Sequence, residues 1–229
     1  MVCANMSCKE KLELLVIGKS RKPRCFKGVK SIPVLYESNK KAWMTCSVYE
    51  DWLHKIDHKF QRENRKVLPL VDNCPAHPKV LIQTLKAIKV VHIPPNLTAK
   101  MQPMDQGIIQ NLKVNYRQRI IKRLLKASDK KMWLTDLNLL DAIFDLNEAW
   151  ADVTSDIIAN CFQKASFVKT DVENLATQEQ DEMFYNDLQR MLGFTEVTIE
   201  YFINVDTNVI IANEPTDSEI LNSIKAQGP

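Results

Sequence analysis

The sequence predicts an α/β fold, on three observations. Short apolar runs at residues 12–17, 67–71 and 89–93 have the length and composition of buried strands. Around them, apolar residues recur at helical spacing over 48–62 and 106–126. The two patterns alternate, which is the order expected of strand, helix, strand units built on a parallel sheet.

Taken in chain order, residues 12–17 form a first strand and 31–36 a second. Between them Lys19, Arg21, Lys22, Arg24, Lys27 and Lys30 make a basic segment broken by Pro23 and Gly28. Such a segment is either a solvated loop or one that neutralises phosphates without reading sequence. Ser47 with Glu50 gives a capping-box pattern, followed by Tyr49, Trp52, Leu53, Ile56 and Phe60 on one helical stripe. That stripe reads as core rather than as base-stacking residues.

The run at 67–71 contains Pro69, which lacks the N–H that a ladder needs. A helix with Pro78 in its first turn is predicted over 78–87, then a strand over 89–93 and a break at Pro94, Pro95 and Asn96. Over 106–126 the apolar residues Ile108, Ile109, Leu112, Tyr116, Ile120 and Leu124 alternate with Lys113, Arg117, Arg119, Lys122 and Arg123. This is an amphipathic helix with a basic outer face. Helices follow over 136–150 and 155–163, with Ile143, Leu146, Ala149 and Trp150 as core, and a weaker one over 178–192. Beyond 195 the composition is that of an acidic, flexible tail.

With 229 residues, 45% of them hydrophobic, the chain can bury a sizeable core. No uninterrupted apolar run is long enough to span a membrane, and no secretory leader is legible. Six scattered cysteines without paired spacing imply reduced thiols. Five glycines leave little room for a phosphate-cradling loop, and serine-hydrolase and dinucleotide-binding readings find no support. The net charge of +3 conceals a division: residues 1–126 hold 25 Lys/Arg against 9 Asp/Glu, and residues 127–229 hold 6 against 19. The basic half is where a polyanion would bind, and the acidic half could meet either it or a protein partner.

Asp72 ends the 67–71 strand and Asp105 precedes the 106–126 helix. Carboxylates on rigid elements are the hard oxygen ligands that Mg²⁺ prefers, although a turn and a helix cap would use the same residues. The positive end of the following helix favours an ionised Asp105. Asn73 and His77 stand beside Asp72, the first as a hydrogen-bonding group and the second as one that could orient a phosphate or water. Cys74 with His77 suggests zinc, but no second Cys/His pair completes such a site. His54 and His58, four apart, read as surface or packing residues.

The strings VIGKSRKPRCFKG at 16–28, NKKAWMT at 39–45, VDNCPAHP at 71–78 and IPPNLTAKMQPMDQGII at 93–109 occur in the order found in the Tigger/pogo group of DDE-superfamily transposases. The chain resembles that group, including its domesticated jerky-like members, over roughly 2–191. The resemblance implies an RNase H-like fold, a five-stranded mixed sheet in the order 3-2-1-4-5 flanked by helices. Residues 1–6 map onto strand 2, 12–17 onto strand 3, 67–71 onto strand 4 and 89–93 onto strand 5, and the central first strand is expected to be missing. Three parts are expected: a basic partial DDE domain at 1–126, an acidic helical extension of it at 127–194, and the tail at 195–229.

By the same resemblance Asp72 and Asp105 are the second and third acids of a catalytic triad with Mg²⁺ as cofactor. The first acid is expected upstream of residue 3, outside this chain, as are the modules that recognise transposon ends. Glu10 and Glu13 flank the wrong strand to replace it. The expected function is a transposase-derived DNA-binding domain, nuclear and catalytically inactive, contacting the DNA backbone through Lys19, Arg21, Lys22, Arg24, Lys27, Lys113, Arg117 and Arg123. A working Mg²⁺-dependent DNA endonuclease or strand-transferase and a domesticated protein-interaction scaffold are the alternatives.

Overall fold

The computed structural model describes residues 1–78, 84–94, 96–129 and 137–168, giving the backbone only for 124–129. Its elements run β1 (Leu15–Gly18), a 3₁₀ turn (Arg24–Phe26), β2 (Leu35–Ser38), α1 (Cys46–Arg62), β3 (Leu70–Val71), β4 (Val91–His92) and α2 (Thr98–Met101). A widened helical turn (Met104–Ile108) then leads into α3 (Ile109–Asp129), α4 (Leu139–Asp152) and α5 (Ser155–Lys164). The mixed α/β class expected of the sequence is therefore present. The expected helix over 178–192 and the tail from 195 lie outside the described residues.

β1 and β2 pair in parallel, with Leu15 opposite Leu35 and Gly18 opposite Ser38. On the other side of the 10–15 segment, residues 1–5 run antiparallel: Leu12 donates its amide to the Cys3 carbonyl and Asn5 donates to that of Glu10. β3 and β4 form a second parallel pair, Leu70 opposite Val91 and Val71 opposite His92. Among the described residues these make two separate two-stranded sheets.

Pro69 explains why β3 is so short. Val67 both donates to the Ala87 carbonyl and accepts from Lys89, and Val91 donates to the Pro69 carbonyl. In a parallel ladder a residue turns its N–H and C=O toward the same neighbour, so the N–H that Pro69 lacks would have faced the Lys89 carbonyl. The predicted strand over 67–71 is thus split into a bridge at Val67, opposite Ile88, and the two-residue β3.

Helices cover both faces of this framework. At the entry to β1, Leu14 and Leu15 point opposite ways, as successive strand residues must. Leu14 packs with Val34, Ile108, Leu112, Ile143, Trp150, Ile158 and Phe162 from the α3 to α5 side. Leu15 packs with Tyr49, Trp52, Leu53, Ile56 and Phe60, the stripe predicted for α1. The first core draws on residues from both the basic and the acidic halves of the chain.

Three local expectations are corrected. The cap of α1 is Thr45, whose hydroxyl accepts from the Val48 amide, so the helix starts two residues earlier than a Ser47 cap would allow. The helix expected over 78–87 does not reach its predicted end, because Asp57 of α1 takes the amides of Lys86, Ala87 and Ile88, leaving none of them for a helical ladder. Residues 79–83 of that helix lie outside the described residues. α4 begins at Leu139, where Asn138 and Asp141 form a reciprocal capping box.

The divided charge of the sequence becomes a contact between helices. Arg119 of α3 pairs with Glu148 and Asp152 of α4, and Arg123 pairs with Asp145 at 2.7 Å and Asp141 at 3.5 Å. Lys11 closes the other end of α4, its Nζ donating to the carbonyls of Trp150, Ala151 and Val153 at the helix C-terminus. Among the described residues no helix is long and apolar enough to cross a membrane.

Candidate functional site

The short β3 ends directly at Asp72, and the chain turns away through Asn73 and Pro75 to His77. That loop is closed by side chains. His77 Nδ1 lies 2.5 Å from Asp72 Oδ1, and the same oxygen accepts the Cys74 amide at 3.4 Å. Asn73 donates through Nδ2 to the Ile93 carbonyl at the end of β4. His92 Nε2 lies 3.1 Å from the His77 carbonyl, and the His77 ring stacks obliquely on Tyr49, with ring centroids 4.3 Å apart. Asp72, Asn73 and His77 therefore divide: Asp72 and His77 form one pair, while Asn73 ties β3 to β4.

Asp105 arrives from the opposite direction, inside the widened turn that precedes α3. Gly107 breaks that turn with φ 144, and a Cβ there would come within 3.2 Å of Cys161 Sγ on α5. The positive φ favours glycine, and a side chain there would also crowd Cys161. The break also overturns one electrostatic expectation. Regular helix begins only at Ile109, so Asp105 does not sit at an intact helix N-terminus. Although Asp105 is solvent-accessible, the protein around it and then the negative charge of Asp72 push its carboxyl above the usual carboxylate range.

The charge of Asp72 thus reaches Asp105, as it would if the two acids shared a cation site. A divalent cation between them would relieve that repulsion, and their hard oxygens suit Mg²⁺. Among the described residues no group of three or more His, Cys, Asp or Glu side chains could hold a metal. The donor set thus suits one largely hydrated ion.

A cavity of about 440 Å³ lies beside the pair. One wall is residues 1–6 and the other is 67–72, with Tyr49, Trp52, Ile56 and Phe60 of α1 as floor. Two buried polar atoms in its lining, Tyr49 Oη and Gln102 Oε1, have no hydrogen-bond partner. Burial first, then Asp72 and Cys3, push the Tyr49 phenol up to about 12, so it stays protonated. The sequence places Tyr49 in the core, correctly by burial, but a single stripe gives no sign that its hydroxyl would lie unpartnered in the lining of a cavity shared with Asp72.

The basic residues are placed unevenly. Lys19, Arg21, Lys22, Arg24, Lys27 and Lys30 are all exposed on the connection between β1 and β2. That connection is anchored: Tyr36 donates its hydroxyl to the Ser20 carbonyl and packs edge-on against Phe26, ring centroids 5.0 Å apart. On α3, Lys113 is exposed and Arg117 half-buried, whereas Arg123 is held by two aspartates of α4. Part of its charge is therefore spent inside the protein.

Comparison with known proteins bears on this arrangement. Residues 1–162 match the family described as DDE superfamily endonuclease. Tigger transposable element-derived protein 4 of Mus musculus is 44% identical over 74% of this chain and 33% of its own length. ARS-binding protein 1 of Schizosaccharomyces pombe is 30% identical over 99% of this chain and 45% of its own length. Major centromere autoantigen B of Mus musculus is 30% identical over 73% of this chain and 27% of its own length. The chain therefore spans less than half the length of each of these relatives. No solved structure matches it.

Proposed function

We propose that this chain, which belongs to the DDE superfamily endonuclease family and to its Tigger-related members, is a transposase-derived DNA-binding domain that acts in the nucleus and does not itself cut DNA. The observation that carries the reading is the incomplete acid site. Burial and then the charge of Asp72 raise the Asp105 carboxyl, yet among the described residues no third ligand-type side chain completes a metal-binding group with them. When bound, Mg²⁺ would neutralise charge at a phosphate, and Asp72 and Asp105 are the residues that would hold it. His77 holds Asp72 from one side and limits how its carboxylate can turn.

DNA is the polyanion that fits the exposed cations from Lys19 to Lys30 and those at Lys113 and Arg117. One relative carries ARS binding in its name and a second is a centromere autoantigen, which supports both the partner and the compartment. Contacts of this type neutralise phosphates and carry little sequence information. We also assign the RNase H-like arrangement to this domain. The apolar cavity lined by residues 1–6 and 67–72 is a space that a central strand could fill, and such a strand could satisfy the Tyr49 hydroxyl.

The test incubates the purified chain with supercoiled plasmid and Mg²⁺ or Mn²⁺, beside an Asp72→Ala/Asp105→Ala double variant. Salt-sensitive plasmid binding without nicking is expected of both. Nicking by the parent that vanishes in the double variant would overturn the inactive reading and establish the endonuclease alternative. Failure of the parent to bind DNA at low salt would leave the protein-interaction scaffold.

A further inference from the structure

We infer that Trp43 is a nucleobase-stacking residue, which holds an unpaired base near the loop between Asp72 and His77. The inference deepens the DNA-binding reading and rests on it. Trp43 is 72% exposed, whereas Trp52 and Trp150 are 6% and 4% exposed. An indole left in water on an ordered loop forfeits the burial that places its counterparts in the core.

The loop is built to present it. Asn39 makes five hydrogen bonds at the turn: its amide donates to the Gly18 carbonyl, its carbonyl accepts the Ala42 amide, its Oδ1 accepts the amides of Lys41 and Trp43, and its Nδ2 donates to the Trp43 carbonyl at 2.6 Å. Ala42 sits at φ 54, a left-handed conformation that a residue with a Cβ adopts at a cost. Unfavourable backbone retained next to an exposed aromatic, and fixed by a network around one asparagine, is backbone held for what it displays.

The surroundings name the ligand. Lys40 and Lys41 are exposed on the same turn, and the bond from Asn39 to Gly18 brings them next to exposed Lys19. Cations that track phosphates together with an aromatic face that takes a base are the two parts of a single-strand binding site. Its location ties it to the Asp72 loop. Cys46, three residues after Trp43, donates its thiol to the Pro75 carbonyl on the loop between Asp72 and His77. Three residues of chain reach about 10 Å at most, so Trp43 stands near the loop that follows Asp72.

The experiment measures binding of the full chain to a fluorescein-labelled 12-nucleotide single strand and to its blunt duplex, with Trp43→Ala and Trp43→Phe variants. Trp43→Ala should weaken single-strand binding about 5- to 150-fold, the loss expected for one stacked base, and leave the phosphate-driven duplex binding unchanged. Trp43→Phe should recover most of the loss, and all three proteins should melt alike because the side chain supports no core. Equal loss on both ligands, or no loss on either, overturns the assignment while the parent's binding leaves the DNA reading intact. A parent that binds neither ligand removes both. A Trp43→Ala variant that loses only self-association would reassign the residue to a protein contact.

Discussion

Replacing Asp57 by alanine should loosen the strands that deliver Asp72, because one carboxylate joins α1 to the start of β4. Asp57 is 3% exposed and accepts the amides of Lys86, Ala87 and Ile88, the last two at 2.7 and 2.9 Å, together with the side-chain amide of Gln61. Burial pushes its carboxyl up, but the amides of Lys86 and Ala87, then Gln61 and Ile88, outweigh that and hold it below the usual range. Ala87 and Ile88 are each 4% exposed, so no water replaces the lost acceptor. Each buried bond to a charged group is worth about 1.5–3 kcal/mol, and removal of a buried charge returns part of its desolvation cost, for a net loss of about 3–4 kcal/mol. With a urea m-value of about 2 kcal/mol/M, the unfolding midpoint should fall by about 1.5–2 M at constant m. Asp57→Asn keeps one acceptor and should lose about half as much. Because the folded carboxyl is depressed, its stabilisation is fully present above the unfolded carboxylate range and disappears as pH falls through the folded value, so Asp57→Asn should also flatten the acid limb. An alanine variant costing less than about 1 kcal/mol, or an asparagine variant as weak as alanine, would refute the anchoring role.

Two further perturbations separate internal from ligand-directed charge. Arg123→Ala strands Asp145, which is 8% exposed and whose Oδ2 already lacks a partner, so a loss of about 2–4 kcal/mol is expected. Arg119→Ala breaks pairs whose acids are 58% and 50% exposed and should cost about 1 kcal/mol or less. Thermal unfolding decides between them, and equal shifts would contradict the difference in burial. For Asp105 the raised carboxyl reverses the sign: its contribution favours the fold below the unfolded carboxylate range and is lost as pH rises through the folded value. Asp105→Asn should therefore raise the melting temperature near neutral pH and abolish any stabilisation by Mg²⁺. An undiminished Mg²⁺ effect in that variant would place the ion elsewhere.

The α/β class, the core stripe of α1, and the positions of α3 to α5 were determined by the sequence alone, because each rests on periodicity that a helix or strand imposes locally. The same holds for Asp72 and Asp105 as site candidates, which stand in contiguous strings that need no folding to be read. Tertiary structure decided what those strings meet. Pro69 could be placed on a strand from sequence, but only the ladder with 87–93 shows that its missing donor falls on the paired side. The end of the predicted helix at 87 was lost to Asp57, thirty residues away, and sequence spacing carries no trace of that competition. Arg123 reads as an outward cation on any helical wheel. It becomes part of an internal pair because α4 folds back along α3 and presents Asp145 where water would otherwise be. Asp105 shows the same logic: local pattern promised a helix N-terminus and an ionised carboxylate, whereas the helix is broken at Gly107, and burial, then the charge of Asp72, favour the carboxyl's proton. Periodicity is a property of neighbours in the chain, but charge and hydrogen-bond state depend on neighbours in space.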